Sequence, residues 1–63
     1  MSEAEKIARA FHEAYERLAP AYSYKTRKAS AVDWVDVPEN NRALMVATVQ
    51  DLIDRGDVAV PQT

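Results

Sequence analysis

The feature that most constrains this chain is the junction Trp34-Val35-Asp36-Val37-Pro38-Glu39, where a large aromatic side chain stands just ahead of a helix start. Proline is tolerated in a first turn because its missing N–H has no helical partner there, and a following glutamate suits the positive end of the helix dipole. The junction predicts a helix that begins near Val37 or Pro38 with Asp36 as its N-cap. Met45, Val49, Leu52 and Ile53 then share one face, with Val46 on its flank. Gly56, after Arg55, is the residue that turns left-handed most cheaply, so the helix stops there. Leu44 lies about a quarter turn or more from the apolar face, which leaves it to meet either the returning chain or another molecule.

A first helix is equally legible. Ser2 and Glu5 have capping-box spacing, Glu3 adds a second acid to the first turn, and Pro20 ends the helix around Ala19. Ile7, Phe11, Ala14 and Leu18 recur at spacings of four, three and four, flanked by Ala4 and Tyr15, which predicts a buried stripe. The opposite face carries Glu5, Arg9, Glu13 and Glu16 with Arg17 at its edge, and both Glu5–Arg9 and Glu13–Arg17 are placed to pair.

The connection from Ala21 to Asp36 is long for so small a domain. Tyr22, Tyr24, Val32 and Trp34 are apolar anchors that a free linker would lack, so the loop is expected to fold back over the helices. Tyr22 to Arg27 alternates like a short strand, and Val58-Ala59-Val60 is its only available mate. The predicted fold class is all-α: an antiparallel two-helix hairpin with a long ordered loop packed across it and at most one minimal strand pair, Tyr22–Tyr24 with Val58–Val60. Residues 1–56 form the domain and 57–63 a tail ending in Pro61-Gln62-Thr63. In this reading Ile7, Phe11 and Leu18 press against Met45, Val49 and Leu52, and the tryptophan seals the seam.

Composition then limits function. A core made from 63 residues supplies only ~3–5 kcal/mol. With no cysteine and one histidine, neither disulfides nor a closed zinc site supports the fold, which leaves self-association, a partner or unusually good packing. No apolar run reaches the ~20 residues needed to span a bilayer, and the acidic start Met1-Ser2-Glu3-Ala4-Glu5 is unlike a secretion signal, so the expectation is a cytoplasmic protein without a membrane partner. A formal charge of −2 disfavours a general nucleic-acid binder.

His12-Glu13 followed by Tyr15, the aromatic Tyr22-Ser23-Tyr24, Trp34 with Val37-Pro38-Glu39, and Arg42 on a helix ending at Gly56 together resemble the RyR domain. This is the small repeat named for ryanodine receptors and also found as short stand-alone proteins in bacteria and phages. The likeness runs from Ile7 to Gly56. The chain departs from the receptor-type pattern in lacking the glycine-containing turn after the aromatic pair and in its shorter middle loop. The resemblance implies a mostly helical, non-enzymatic module with a packing, regulatory, ligand-binding or interaction role. The small size also resembles phage accessory proteins.

Candidate sites follow from the residues. His12, on the border of the apolar stripe, has the chemistry to bind a ligand or to pair with Glu16 four residues on. Trp34 either anchors a ligand or plugs the core. Arg42 is a cation near a helix start, where the dipole opposes it; it either pairs with Glu39, Asp36 or Glu13, stacks on Trp34 or Tyr24, or holds an anion. His12, Tyr22, Tyr24, Trp34 and Arg42 are therefore the candidate lining of a shallow polar-aromatic pocket for a small anionic ligand or a partner peptide. The alternative is a self-associating structural protein that uses Leu44 and Ala47. A third reading places nucleic acid on Lys25, Arg27 and Lys28, interleaved with tyrosines. Asp33, Asp36 and Glu39 directly after that cluster are positioned to neutralise it. No nucleophile, acid–base pair or cofactor motif has the spacing that catalysis requires, so no catalytic residue, metal or cofactor is assigned.

Overall fold

The computed structural model describes residues 2–60. Two helices, α1 (Glu3–Leu18) and α2 (Glu39–Asp54), pack against each other, and two 3₁₀ turns, Ala19–Tyr22 and Trp34–Asp36, stand at the ends of the crossover. The hairpin of helices is as the sequence indicates. None of the helices is long and apolar enough to cross a membrane among the described residues.

Helix α1 starts where its cap requires: Ser2 Oγ accepts the Glu5 N–H at 3.0 Å, with Glu3 and Glu5 in the first turn. Its exposed pairs differ from expectation. Arg9 Nε reaches forward to Glu13 Oε2 at 3.2 Å and Lys6 Nζ approaches Glu3 Oε1 at 3.4 Å, while Glu5–Arg9 and Glu13–Arg17 do not form. Arg9 has one guanidinium to share, and exposed pairs of either kind are worth little.

The buried face of α1 is not the stripe of large residues. Ala4, Ala8 and His12 are buried, whereas Phe11 is 63 % exposed and Leu18 49 % exposed. At ~100° per residue the buried edge is rotated roughly 90° from the Ile7–Phe11–Ala14–Leu18 stripe. The expected seam of Ile7, Phe11 and Leu18 against α2 is thus corrected for Phe11 and Leu18, while Ile7 is half-buried. The reason is volume: alanines allow close approach, and the space they leave beside α1 admits Trp34, 4 % exposed, and Val37, also buried. With a tryptophan packed there, the helix need not bury its own large side chains against α2.

Helix α2 presents Met45, Val46, Val49, Leu52 and Ile53 inward, as expected, yet each is only half-buried. It starts later than expected. Pro38, at φ −50° and ψ 139°, leads into Glu39, no side chain caps the helix, and Asp36 instead belongs to the preceding 3₁₀ turn, two positions too early to cap. The end matches: Gly56 has φ +81°, its N–H donates to the Ile53 carbonyl at 3.0 Å, and Asp57 N–H donates to Leu52 at 2.9 Å.

The minimal strand pair is absent among the described residues. Tyr22 lies in the 3₁₀ turn, Ser23 adopts a left-handed φ of 55°, and Tyr24 N–H returns to the Ala19 carbonyl at 3.0 Å. These local bonds satisfy the backbone that strand pairing would have used, and Val58–Val60 is not a strand. The Pro61-Gln62-Thr63 end of the expected tail lies outside the described residues.

Candidate functional site

Three bonds and one ring tie the crossover to the helices. His12 Nε2–H donates to the Val32 carbonyl at 2.7 Å, Thr26 Oγ1 donates to Glu16 Oε1 at 2.7 Å, and Asn41 Nδ2 donates to Ser30 Oγ at 3.3 Å. Trp34 sits against His12 with ring centroids 5.8 Å apart. A carbonyl only accepts, so the bond fixes the proton on Nε2 of His12. His12 therefore holds Val32, not Glu16, and Glu16 is engaged by Thr26 instead. Of the four expected anchors only Trp34 is buried; Tyr22, Tyr24 and Val32 are exposed.

Between α1, the crossover and α2 lies a shallow concavity of about 250 Å³. Phe11, Tyr15, Tyr24 and Met45 supply its apolar lining; His12, Glu16, Thr26, Arg27 and Ser30 supply the polar part. The aromatic rings are mutually arranged. Phe11 stacks on Tyr15 at 5.7 Å, one helical turn on, and Tyr24 meets Tyr15 edge-on at 6.2 Å. The charge of an ionised Tyr24, then loss of solvent around the ring, then the Glu16 carboxylate raise the Tyr15 pKa above its ordinary 10.0.

The five residues expected in one pocket are distributed over three surfaces. His12 and Tyr24 share the concavity just described. Tyr22 stands on a neighbouring apolar depression with Tyr15, Leu18 and Tyr24. Trp34 and Arg42 border an open surface on the other side, beside Glu5, Glu39 and Val46. Arg42 forms no ion pair among the described residues, and its Nε is buried without a hydrogen-bond partner. Pairing with Glu39, Asp36 or Glu13 is therefore not what holds it.

The other candidates are simpler to place. Leu44, 66 % exposed, and Ala47, also exposed, lie on α2 away from its half-buried face, and no segment of the described chain covers them. Lys25, Arg27 and Lys28 are exposed and carry no ion pair among the described residues, so Asp33, Asp36 and Glu39 do not neutralise them. Only Arg27 reaches the concavity. No group of three or more His, Cys, Asp or Glu side chains converges as a metal ion requires among the described residues.

Phe11, Tyr15, Glu16, Thr26, Ser30 and Met45 were not candidates from sequence. Phe11 and Met45 read as core and Tyr15 as its flank, while Glu16 and Thr26 read as surface. The usable signal was the four-residue spacing of Phe11 and Tyr15, which aligns two rings on one face. Comparison of the chain with protein-family models, curated proteins and solved structures finds no match.

Proposed function

We propose that this chain is a non-enzymatic binding module whose concavity takes a short peptide segment of a partner protein, bearing one apolar anchor and one carboxylate. The observation that carries the reading is the juxtaposition of three exposed or half-exposed rings with an unpaired arginine in one depression. Size selects the class of occupant. Pockets that enclose small molecules run from about 300 Å³ upward, and this one, near 250 Å³ and open to solvent, suits a side chain and the backbone on either side of it. Arg27 offers a planar fork for a carboxylate, Ser30 and Thr26 offer hydroxyls, and the rings offer faces on which an apolar side chain lies.

The RyR likeness agrees with a helical module of this kind and rests on the residues quoted for it. An anionic ligand gripped jointly by His12 and Arg42 is not favoured, since the two border different surfaces. Chemistry is not favoured either, because His12 is 3 % exposed and committed to a carbonyl and Glu16 is committed to Thr26.

Amide NMR of the whole chain tests this. Capped hexapeptides with a central Phe or Leu flanked by Asp and Glu are titrated in, alongside lysine-flanked counterparts and a short single-stranded oligonucleotide. The acidic peptides are expected to shift Tyr15, Tyr24 and Arg27 resonances, with loss of the effect in Arg27→Ala. Equal response to the lysine-flanked peptides, or response to the oligonucleotide alone, refutes the reading.

A further inference from the structure

The large apolar stripe of α1 is only partly covered by the described chain: Ile7 and Ala14 are half-buried, while Phe11 and Leu18 are exposed. Ile7, Phe11, Ala14 and Leu18 follow alternating spacings of four, three and four, which is the period of a helix that packs along another helix, knobs into holes. The fold uses a different edge, Ala4–Ala8–His12, and leaves Phe11 and Leu18 at the surface. The two edges lie roughly 90° apart, and that angle is informative. In a four-helix bundle each helix touches two neighbours, in directions about a right angle apart around its axis. One neighbour of α1 is α2; the second is missing.

We propose that a second copy of this chain supplies it, docking α1 against α1 in antiparallel fashion to complete a four-helix bundle from two hairpins. Area supports a second copy. The chain exposes 5026 Å², whereas a compact monomer of 7.1 kDa exposes about 4,100 Å², so the hairpin alone leaves more surface uncovered than a compact fold of its mass. The chain is also loose for its length: its radius of gyration is 12.5 Å, against about 10.6 Å for a compact 63-residue domain. Charge supports the antiparallel sense. Helix α1 opens with Glu3 and Glu5, the former paired with Lys6, and closes with Arg17 beside Glu16, with Lys25, Arg27 and Lys28 beyond it, so reversing one copy brings each acidic first turn toward the other's Arg17.

The inference stands apart from the peptide reading. Ile7, Ala14 and Leu18 do not line the concavity, and Arg27 is not on the stripe, although Phe11 serves both. Sedimentation equilibrium on the full chain, from micromolar to millimolar, is the test. The wild type is expected to be a dimer at the upper end. Leu18→Asp and Phe11→Asp change exposed positions, so their circular dichroism should stay helical while dimer affinity falls at least about thirtyfold, the scale of an interface hot spot. Leu44→Asp should leave the dimer intact. Glu3→Arg should weaken it, and Glu3→Arg with Arg17→Glu should restore it. A chain that stays monomeric at millimolar concentration, a dimer indifferent to Leu18→Asp, or one lost on Leu44→Asp overturns the proposal.

Discussion

Exchanging volume between the two edges of α1 gives the sharpest check on how this helix is set. Ala8 lies at a buried position 2 % exposed, and leucine there inserts methylenes where α2 and the crossover already sit. Overpacking of that kind costs about 1–3 kcal/mol. Phe11→Ala removes a far larger group from a position 63 % exposed. Burying a phenylalanine completely is worth ~1.5–3 kcal/mol, so the third that is covered contributes about 0.5–1 kcal/mol, and alanine's better helix propensity returns a few tenths of a kcal/mol. The smaller chemical change should therefore be the more damaging. Urea unfolding followed by the fluorescence of the single tryptophan measures both, at sub-micromolar protein so that association adds nothing. Against a total of ~3–5 kcal/mol, Ala8→Leu should visibly lower the midpoint and Phe11→Ala should barely move it. A loss above about 3 kcal/mol for Phe11→Ala, with Ala8→Leu neutral, would refute the rotated packing of α1.

Other consequences are local. Ser23 holds a left-handed φ of 55°; an ordinary residue pays ~1–2 kcal/mol there and glycine's added backbone entropy is ~0.5–1 kcal/mol, so Ser23→Gly should stabilise by about 0.5 kcal/mol in the same urea assay. Thr26→Val deletes the 2.7 Å bond to Glu16, worth about 1 kcal/mol, and should speed hydrogen exchange at the Ser30 and Ala31 amides; unchanged exchange would show that the bond does not hold the crossover. Tyr15, with its pKa raised chiefly by Tyr24, should titrate above the ordinary tyrosine value at 295 nm, and Tyr24→Phe should bring it down. The folded chain then holds that proton more tightly than the unfolded one, so the contribution is whole below the ordinary tyrosine value of 10.0 and disappears as pH climbs through the raised one.

Helix positions, the Ser2 cap and the Gly56 stop were readable because each depends on neighbours within a few residues. The inward face of α2 was readable too, since its apolar residues are large and clustered. What α1 buries was not. Periodicity weights a residue by hydrophobicity, so Phe11 and Leu18 outvote Ala4 and Ala8, yet the contest is settled by whether Trp34 and α2 fit beside the helix, a question of volumes from distant segments. His12 illustrates the same limit. Its partner, the Val32 carbonyl, lies far along the chain and has no side-chain signature, whereas Glu16 advertised itself four residues away and was taken by Thr26. The strand reading of Tyr22 to Arg27 failed because alternation says nothing about a backbone already closed by local bonds at Ala19 and Pro20.

If both proposals hold, the two surfaces of α1 are thermodynamically coupled. Phe11 and Tyr15 stack as a pair, Phe11 on the stripe that a second copy would cover and both on the edge of the concavity. A copy seated on Ile7, Phe11 and Leu18 immobilises that pair and walls one side of a depression now open to solvent. A peptide then meets rings already fixed, which lowers the ordering cost of binding, and linkage demands that the peptide tighten the dimer by the same factor. Fixing two aromatic side chains is worth about 1 kcal/mol, or roughly fivefold in affinity. Titration of the acidic peptide into wild type above and below its dimerisation midpoint should show that difference, and Leu18→Asp should show only the weaker value at every concentration. Equal affinity throughout would mean that the stripe and the concavity act independently, even if each binds its own partner.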